Sequence, residues 1–296
     1  MKAGFIALVG RPNAGKSTLL NRLVGTKLAI VSDKPQTTRN RIVGVKNYPE
    51  AQAVFVDTPG IHKPLHRMNV RMVGAATDAM RDVDVVALIV DAAERMGAGD
   101  RYALGLVRRV EAPAVLVLNK VDRMAKPSLL PAIDTWRKEH EFAEIVPISA
   151  LTGENVDRLV QVLLALLPEG EPLYPEDYLT DQPERFFVAE IVREQVLRHT
   201  HAELPYTSAV VVDRFEEPDE NGLMRLYCSI LVERSSQKPI VIGRGGDMIK
   251  RIGTAAREEL ERFFQARVFL DLRVKVESEW RENERRLDEI LNRPRE

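Results

Sequence analysis

"FIALVGRPNAGKSTLLNRLV", Phe5–Val24, is the stretch that decides the fold. It opens with an apolar run of strand length and closes with Leu19, Leu20, Leu23 and Val24 at helical spacing. Between them, Gly10-x-x-x-x-Gly15-Lys16-Ser17 makes a glycine turn from strand to helix. Such a turn aims backbone N–H groups and the positive end of a helix at an anion. The pattern predicts that Gly10, Arg11, Pro12, Asn13, Ala14 and Gly15 wrap a phosphate chain. Lys16 would reach the outer phosphates, the Ser17 hydroxyl would ligate magnesium, and Thr18 would complete the nucleotide-binding set.

Outward from this turn, short apolar runs alternate with segments of helical period as far as Leu167: "IVGVKNY", "AVFVDTPG", "VVALIVDA", "AVLVLNK", "EIVPISA", "NVDRLVQVLLALLP". Strands of this kind separated by helices predict a parallel sheet covered on both faces, an α/β doubly wound domain with its ligand at the carboxyl ends of the strands. The proline- and acid-rich "LPEGEPLYPEDYLTDQPE" cannot continue a helix and reads as a linker. Beyond it the order changes to α-β-β-α-α-β, a smaller α+β domain, and the chain closes on "ESEWRENERRLDEILNRPRE", read as a charged helix with Trp280, Leu287 and Leu291 on a thin apolar stripe. The boundaries read as 1–170, a linker over 171–184, 185–280, and a terminal helix over 281–296.

Composition agrees with two soluble domains: 296 residues, 45% hydrophobic and 29% charged, net charge −1. No apolar run approaches the roughly 20 residues of a bilayer span, and "MKAGFIALVG" has no signal-peptide cleavage site, so a cytosolic chain is expected. Cys228 stands alone in the strand-like "LYCSILV" and reads as a packing residue. With the total charge near zero, any nucleic-acid footprint has to be local.

Three further segments specify the nucleotide. In "DTPG", Asp57, Thr58, Pro59 and Gly60, the carboxylate is placed to hold magnesium through water, and the Gly60 N–H to sense a third phosphate, with Ile61 next in line. In "NKVD", Asn119, Lys120, Val121 and Asp122, a carboxylate can accept from both N1–H and the 2-amino group of guanine. Adenine offers neither donor and would leave that acceptor unpaired. "SAL", Ser149, Ala150 and Leu151, would support the base. The order and spacing resemble the translation-factor-like class of GTPases. That resemblance implies a first switch over Ser32–Arg41, in which Thr38 closes over magnesium and the γ-phosphate; Lys16, Thr38, Asp57 and Gly60 would then carry catalysis.

Where small GTPases carry a water-orienting glutamine after this glycine, the chain has Ile61, which cannot hydrogen-bond, so slow intrinsic hydrolysis is expected. By resemblance to GTPases with a similar loop, Asn13 is a candidate to help hold potassium beside the β- and γ-phosphates. His62 and His66, in a polar loop, read as solvated.

A second glycine cluster, "VIGRGGDMIKRIG", Val241–Gly253, lacks the Lys-Ser pair and any dinucleotide spacing. Gly243-Arg244-Gly245-Gly246 joins a short helical segment to a longer one within the α+β domain, and the combination resembles a KH domain of type II, whose G-x-x-G loop lies against a single-stranded nucleic-acid backbone. The resemblance makes Ile242, Gly243, Arg244, Gly245, Gly246, Ile249, Lys250 and Arg251 the RNA-binding set, with Val241 and Ile252 added to an apolar groove wall.

The whole series, "GRPNAGKS", "PQTTR", "DTPG", "NKVD" and "VIGRGGDMIKRIG", resembles the Era family of GTPases in order and extent. It implies a GTP- and GDP-binding, magnesium-dependent GTPase that binds the 3′ end of 16S ribosomal RNA and acts in assembly of the 30S subunit. A monomer is expected, in the cytoplasm, with peripheral association at the inner face of the membrane in some members. Two other readings stay open: a signalling or metabolic NTPase whose second domain binds protein, and an RNA-binding protein with a vestigial nucleotide fold, which Ile61 alone supports.

Overall fold

The computed structural model describes residues 1–34, 36–62, 66–200 and 204–291. Pro35, the first residue of "PQTTR", and 292–296, the end of the expected terminal helix, lie outside the described residues. The chain divides into two compact units, one of 1–65 with 69–181 and one of 66–68 with 182–296.

The first unit follows the order β1 (Lys2–Val9), α1 (Lys16–Val24), β2 (Ile42–Tyr48), β3 (Ala51–Asp57), α2 (Arg67–Asp78), β4 (Val85–Asp91), α3 (Ala98–Val107), β5 (Ala114–Asn119), α4 (Leu129–Glu139), β6 (Glu144–Pro147) and α5 (Val156–Leu166). Its sheet is ordered β2-β3-β1-β4-β5-β6. The expectation of an all-parallel sheet needs one correction. β2 runs antiparallel to β3, because only Pro49 and Glu50 separate them and so short a connection can make nothing but a hairpin. β3, β4 and β5 are buried along their whole length, so their sequences carry apolar runs instead of alternation, interrupted within β3 by Gln52. β1 and β3 both end beside the glycine turn, which places the nucleotide motifs at the carboxyl edge of the sheet.

The expected linker over 171–184 is bound for much of its length to this unit. Gln52, fully buried in β3, accepts from the backbone N–H groups of Leu173 and Tyr174 through its amide oxygen, at 2.7 and 2.9 Å, and donates to the Tyr174 carbonyl at 2.8 Å. Val45 N–H donates to the Leu179 carbonyl (2.8 Å), and Tyr174 and Tyr178 stack with ring centroids 4.6 Å apart against Val43, Val45, Val54 and Val56.

The second unit comprises α6 (Glu184–His199), α7 (Leu204–Thr207), β7 (Ser208–Glu216), β8 (Leu223–Val232), α8 (Lys238–Ile242), α9 (Asp247–Phe264), β9 (Arg267–Val276) and α10 (Glu284–Ile290). Its three strands are ordered β7-β8-β9, antiparallel and then parallel, with apolar side chains of α6 and α9 packed in one core with them. Cys228 is in that core, and burial pushes its thiol up to about 12, which leaves it unreactive. Among the described residues the terminal charged helix starts later than expected, at Glu284. Trp280–Glu282 form a separate 3₁₀ turn, and Asn283 starts α10 by accepting from the N–H groups of Arg285 and Arg286. Trp280 is fully buried and donates from its ring nitrogen to the Thr207 carbonyl at 3.0 Å.

No helix among the described residues is long and apolar enough to cross a membrane.

Candidate functional site

The glycine turn after β1 needs its glycines for different reasons. Gly10 and Gly15 have φ of 153° and 97°, and a Cβ would stand 2.2 Å from the Ile89 carbonyl at the first and 2.2 Å from the Asn119 side chain at the second. Gly60 presses on the turn from the other side, where a Cβ would lie 2.7 Å from Pro12 Cα. The turn faces a cavity of about 310 Å³, lined among others by Asn13, Lys16, Ser17, Thr18, Thr38, Gly60 and Lys120.

Lys16 donates to the carbonyls of Gly10 (3.2 Å) and Arg11 (3.0 Å), so its ammonium is held over the turn. Burial lowers its pKa to about 8, against the opposing pull of Asp57. Ser17 Oγ lies 2.6 Å from Thr38 Oγ1 and donates to Asp57 Oδ2 at 2.7 Å. Three oxygen-bearing side chains from distant parts of the sequence therefore meet at one point. Asp57 is fully buried, and its other oxygen, Oδ1, has no hydrogen-bond partner among the described residues. An orphaned buried carboxylate oxygen beside two hydroxyls suits a small hard cation reached directly by the hydroxyls and through water by the acid.

Burial raises the Asp57 pKa to about 6, only partly offset by Lys16 and by hydrogen bonds from Ser17, Thr58 and Thr38. Since the carboxylate must be ionised to serve the cation, magnesium affinity of the nucleotide-bound protein should fall about tenfold for each pH unit below 6 and level off above it. Titrating magnesium against the nucleotide complex at pH 5, 6 and 7.5 measures this; a flat profile would show that Asp57 does not serve the metal.

Asn119 ties two loops of the site together. Its amide donates to the Ala14 carbonyl (2.8 Å) and accepts from the Ala150 N–H (2.9 Å), tying the phosphate turn to the "SAL" loop. Lys120, at φ 66°, donates to the Asn13 carbonyl (2.6 Å) and to Asp91 (2.8 Å). Asp122 follows in a 3₁₀ turn and is exposed. Ser149 is buried; Leu151 is 71% exposed.

Three roles expected from the motifs are redrawn by the packing. The Arg11 side chain turns to Glu94 and to Asp100 (3.4 Å), so only its backbone serves the turn. Ile61 is fully buried among Val9, Met80 and Val90, and its N–H donates to the Gly10 carbonyl at 3.0 Å. His66 is exposed, but His62 is half-buried and hydrogen-bonded, not solvated, because its ring folds back onto the Gly60 carbonyl at 2.8 Å. Asp33 and Gln36, from the expected switch segment, also line the cavity, as do Glu94 and Arg123, which no motif marked.

In the second unit, Gly243 (φ 78°) is required by packing, since a Cβ would stand 2.6 Å from Met248. Gly245 and Gly246, with φ of 62° and 86°, face open space. At these two positions backbone conformation, not packing, favours glycine, and the loop is left bare of side chains. Arg244 and Lys250 are exposed; Arg251, also exposed, is paired to Asp247 at 2.8 Å, which tempers the expected concentration of positive charge. Of the expected apolar wall, Ile242 and Ile249 are half-buried, but Val241 and Ile252 are fully buried in the core and cannot meet a base. Ile240, 50% exposed on α8, was not singled out by the motif.

Residues 5–120 match the family model described as 50S ribosome-binding GTPase, and 203–281 match the KH domain model. Among curated relatives, GTPase Era of Geotalea daltonii is 52% identical over 288 residues, covering 97% of both chains. GTPase Era of Geobacter metallireducens is 49% identical over 289 residues, covering 98% of this chain and 97% of the relative. Among solved structures, a variant of Aquifex aeolicus Era bound to GDP·AlF4− superposes with a TM-score of 0.94 at 43% identity, covering 98% of this chain and 99% of that one. An Era complex with MgGDPNP and nucleotides 1506–1542 of 16S ribosomal RNA gives a TM-score of 0.95 at 43% identity, covering 98% of both.

Proposed function

The chain belongs to the Era family of GTPases, and on that basis we propose how its two units work. It is a GTP hydrolase that binds GTP and GDP with magnesium and binds the 3′-end region of 16S ribosomal RNA through its KH domain, in biogenesis of the 30S subunit. The observation that carries this reading is one chain holding a phosphate turn and an open glycine loop, similar along nearly its whole length to a protein solved with both GDPNP and 16S RNA.

In the nucleotide site, backbone N–H groups of 10–18 and the Lys16 ammonium hold the phosphates, and Gly60 reports the third phosphate through its N–H. Ser17 and Thr38 would ligate magnesium directly and Asp57 through water, as their convergence supports. The cation neutralises charge between the β- and γ-phosphates when bound. Asn119, Lys120, Val121 and Asp122, with Ser149–Leu151, read guanine. Because Thr38 and Gly60 come from separate segments that both line the cavity, gain or loss of one phosphate biases both. Slow intrinsic turnover follows from Ile61 being held in the core.

The finer points are part of the same proposal. The nucleotide domain is taken as 1–170 with a linker over 171–184, and the KH domain as 185–280 ahead of the terminal segment. The RNA set is Ile242–Gly246 with Ile249, Lys250 and Arg251. The protein acts as a cytoplasmic monomer, with peripheral attachment at the inner face of the membrane implied by the family. Asn13, whose amide donates to the Asp33 carbonyl at 2.7 Å, keeps its side-chain oxygen for a potassium ion. Turnover should then be faster in potassium than in sodium, and equal rates would sink the potassium site.

The central test is affinity for a 16S fragment spanning nucleotides 1506–1542, measured with a GTP analogue and with GDP. Tighter binding with the analogue is expected. Equal affinities would leave the units tethered but uncoupled, and no RNA binding in either state would favour a switch whose second domain binds protein.

A further inference from the structure

We propose that His62, poised by Gln36, takes the place of the missing glutamine and orients the water that attacks the γ-phosphate. The inference rests on the GTPase reading above and concerns the residue that reading leaves unassigned.

The position after Gly60 is lost to water chemistry, since Ile61 is buried and its N–H is tied to the phosphate turn at Gly10. That anchoring fixes the next residue. His62 Nδ1 lies 2.8 Å from the Gly60 carbonyl, an acceptor only, so Nδ1 carries the proton and Nε2 presents its lone pair. The side-chain nitrogen of Gln36 lies 3.4 Å from that Nε2 and is its donor. Gln36 lines the cavity with Thr37, Thr38 and Gly60, so the acceptor nitrogen lies one side chain back from it, behind Gln36.

Two features mark this pair as more than incidental. Gln36 holds φ at 61°, a left-handed conformation that residues with side chains rarely adopt and that persists where the surroundings impose it. The bridge also joins the segment carrying Thr38 to the segment carrying Gly60, the two that respond to the third phosphate. A water that replaces the Gln36 amide on Nε2 would donate one hydrogen to it and turn a lone pair toward phosphorus, with Gln36 free to accept or donate at the same water.

The reaction balances without a net proton on the protein. The water oxygen forms the new bond to the γ-phosphorus, and the bond from that phosphorus to the β–γ bridging oxygen breaks with its electron pair left on GDP. Both water protons depart with inorganic phosphate, GTP⁴⁻ and water giving GDP³⁻ and H₂PO₄⁻. His62 orients and returns unchanged.

Single-turnover hydrolysis and nucleotide affinity of the full-length protein test this. His62→Ala should lower the hydrolysis rate on the order of 100-fold, leave affinity for GDP and for a non-hydrolysable GTP analogue within about twofold, and abolish the gain in GDP affinity on adding AlF4−. His62→Gln, which restores an acceptor, should recover part of the rate, and Gln36→Ala should fall between. An unchanged rate in His62→Ala would overturn the proposal, as would equal losses of rate and analogue affinity, the signature of a structural role. If the wild-type protein itself does not turn over GTP in the same assay, the GTPase reading falls, a result distinct from an active His62→Ala.

Discussion

Asp122→Asn should abandon guanine for xanthine. The carboxylate of Asp122 has no structural duty in the loop: it is exposed, while the backbone around it is fixed by Val121 N–H to the Ile148 carbonyl (3.2 Å) and by Lys120 to Asn13 and Asp91. The variant therefore keeps its fold. An amide at this position accepts one hydrogen bond from N1–H but meets the 2-amino group donor to donor. Loss of two charge-assisted bonds of about 1.5–3 kcal/mol each weakens GTP binding on the order of 10²–10⁴-fold. Xanthine, with a carbonyl at that position, pairs with the new amide and regains most of it. Competition of GTP and XTP for the purified variant, with thermal melting as the folding control, gives the answer. Retained preference for GTP would remove Asp122 from base recognition.

Gly246→Asp is expected to eliminate RNA binding while leaving GTP hydrolysis intact. Gly246 stands at the start of α9 with φ 86°, and no atom lies within 4 Å of a Cβ placed there, so the new side chain meets no protein. The left-handed backbone strains any side chain there, but Asp is among the few residues that visit this region. Toward a phosphate backbone approaching the loop, however, it presents both bulk and a like charge. Such juxtaposition costs several kcal/mol, on the order of 100-fold or more in affinity. Gly245→Asp, at φ 62° and equally open, should behave in the same way, whereas Gly243→Asp should unfold the loop against Met248 and depress stability. RNA affinity and melting of the three variants separate these cases. Undiminished binding in Gly246→Asp would detach the loop from RNA.

Much of the nucleotide site is legible in the sequence because its chemistry depends on local spacing. Gly10, Gly15, Lys16 and Ser17 act through a single strand–turn–helix joint, and a joint is a short-range object. Asp57 and Asp122 are recognised for the same reason, each lying at or just beyond the end of a buried strand. What stayed hidden depends on which face a residue turns, and that is set by partners far along the chain. Ile61 and His62 are neighbours in a polar loop, yet one enters the core and the other faces switch residues. Val241 and Ile252 look in sequence like Ile242 and Ile249, but helix phase against β8 and β9 buries the first pair alone.

The linker shows the same division. Its prolines and acids rule out a helix, and that much is plain from composition. Only the folded chain reveals that Gln52, a polar residue in the midst of a buried strand, has its amide saturated by the linker backbone. The two-domain class, the phosphate turn, guanine as the base and the glycine loop as a second site could all be read before folding was considered, since each is written in residues a few positions apart. The antiparallel edge strand, the meeting of Ser17, Thr38 and Asp57, the tethering of Asn119 to two loops and the pairing of His62 with Gln36 were decided by the packed chain. Those features depend on distances between residues remote in sequence, which take their values only when burial of the apolar strands has fixed the ends from which the loops depart.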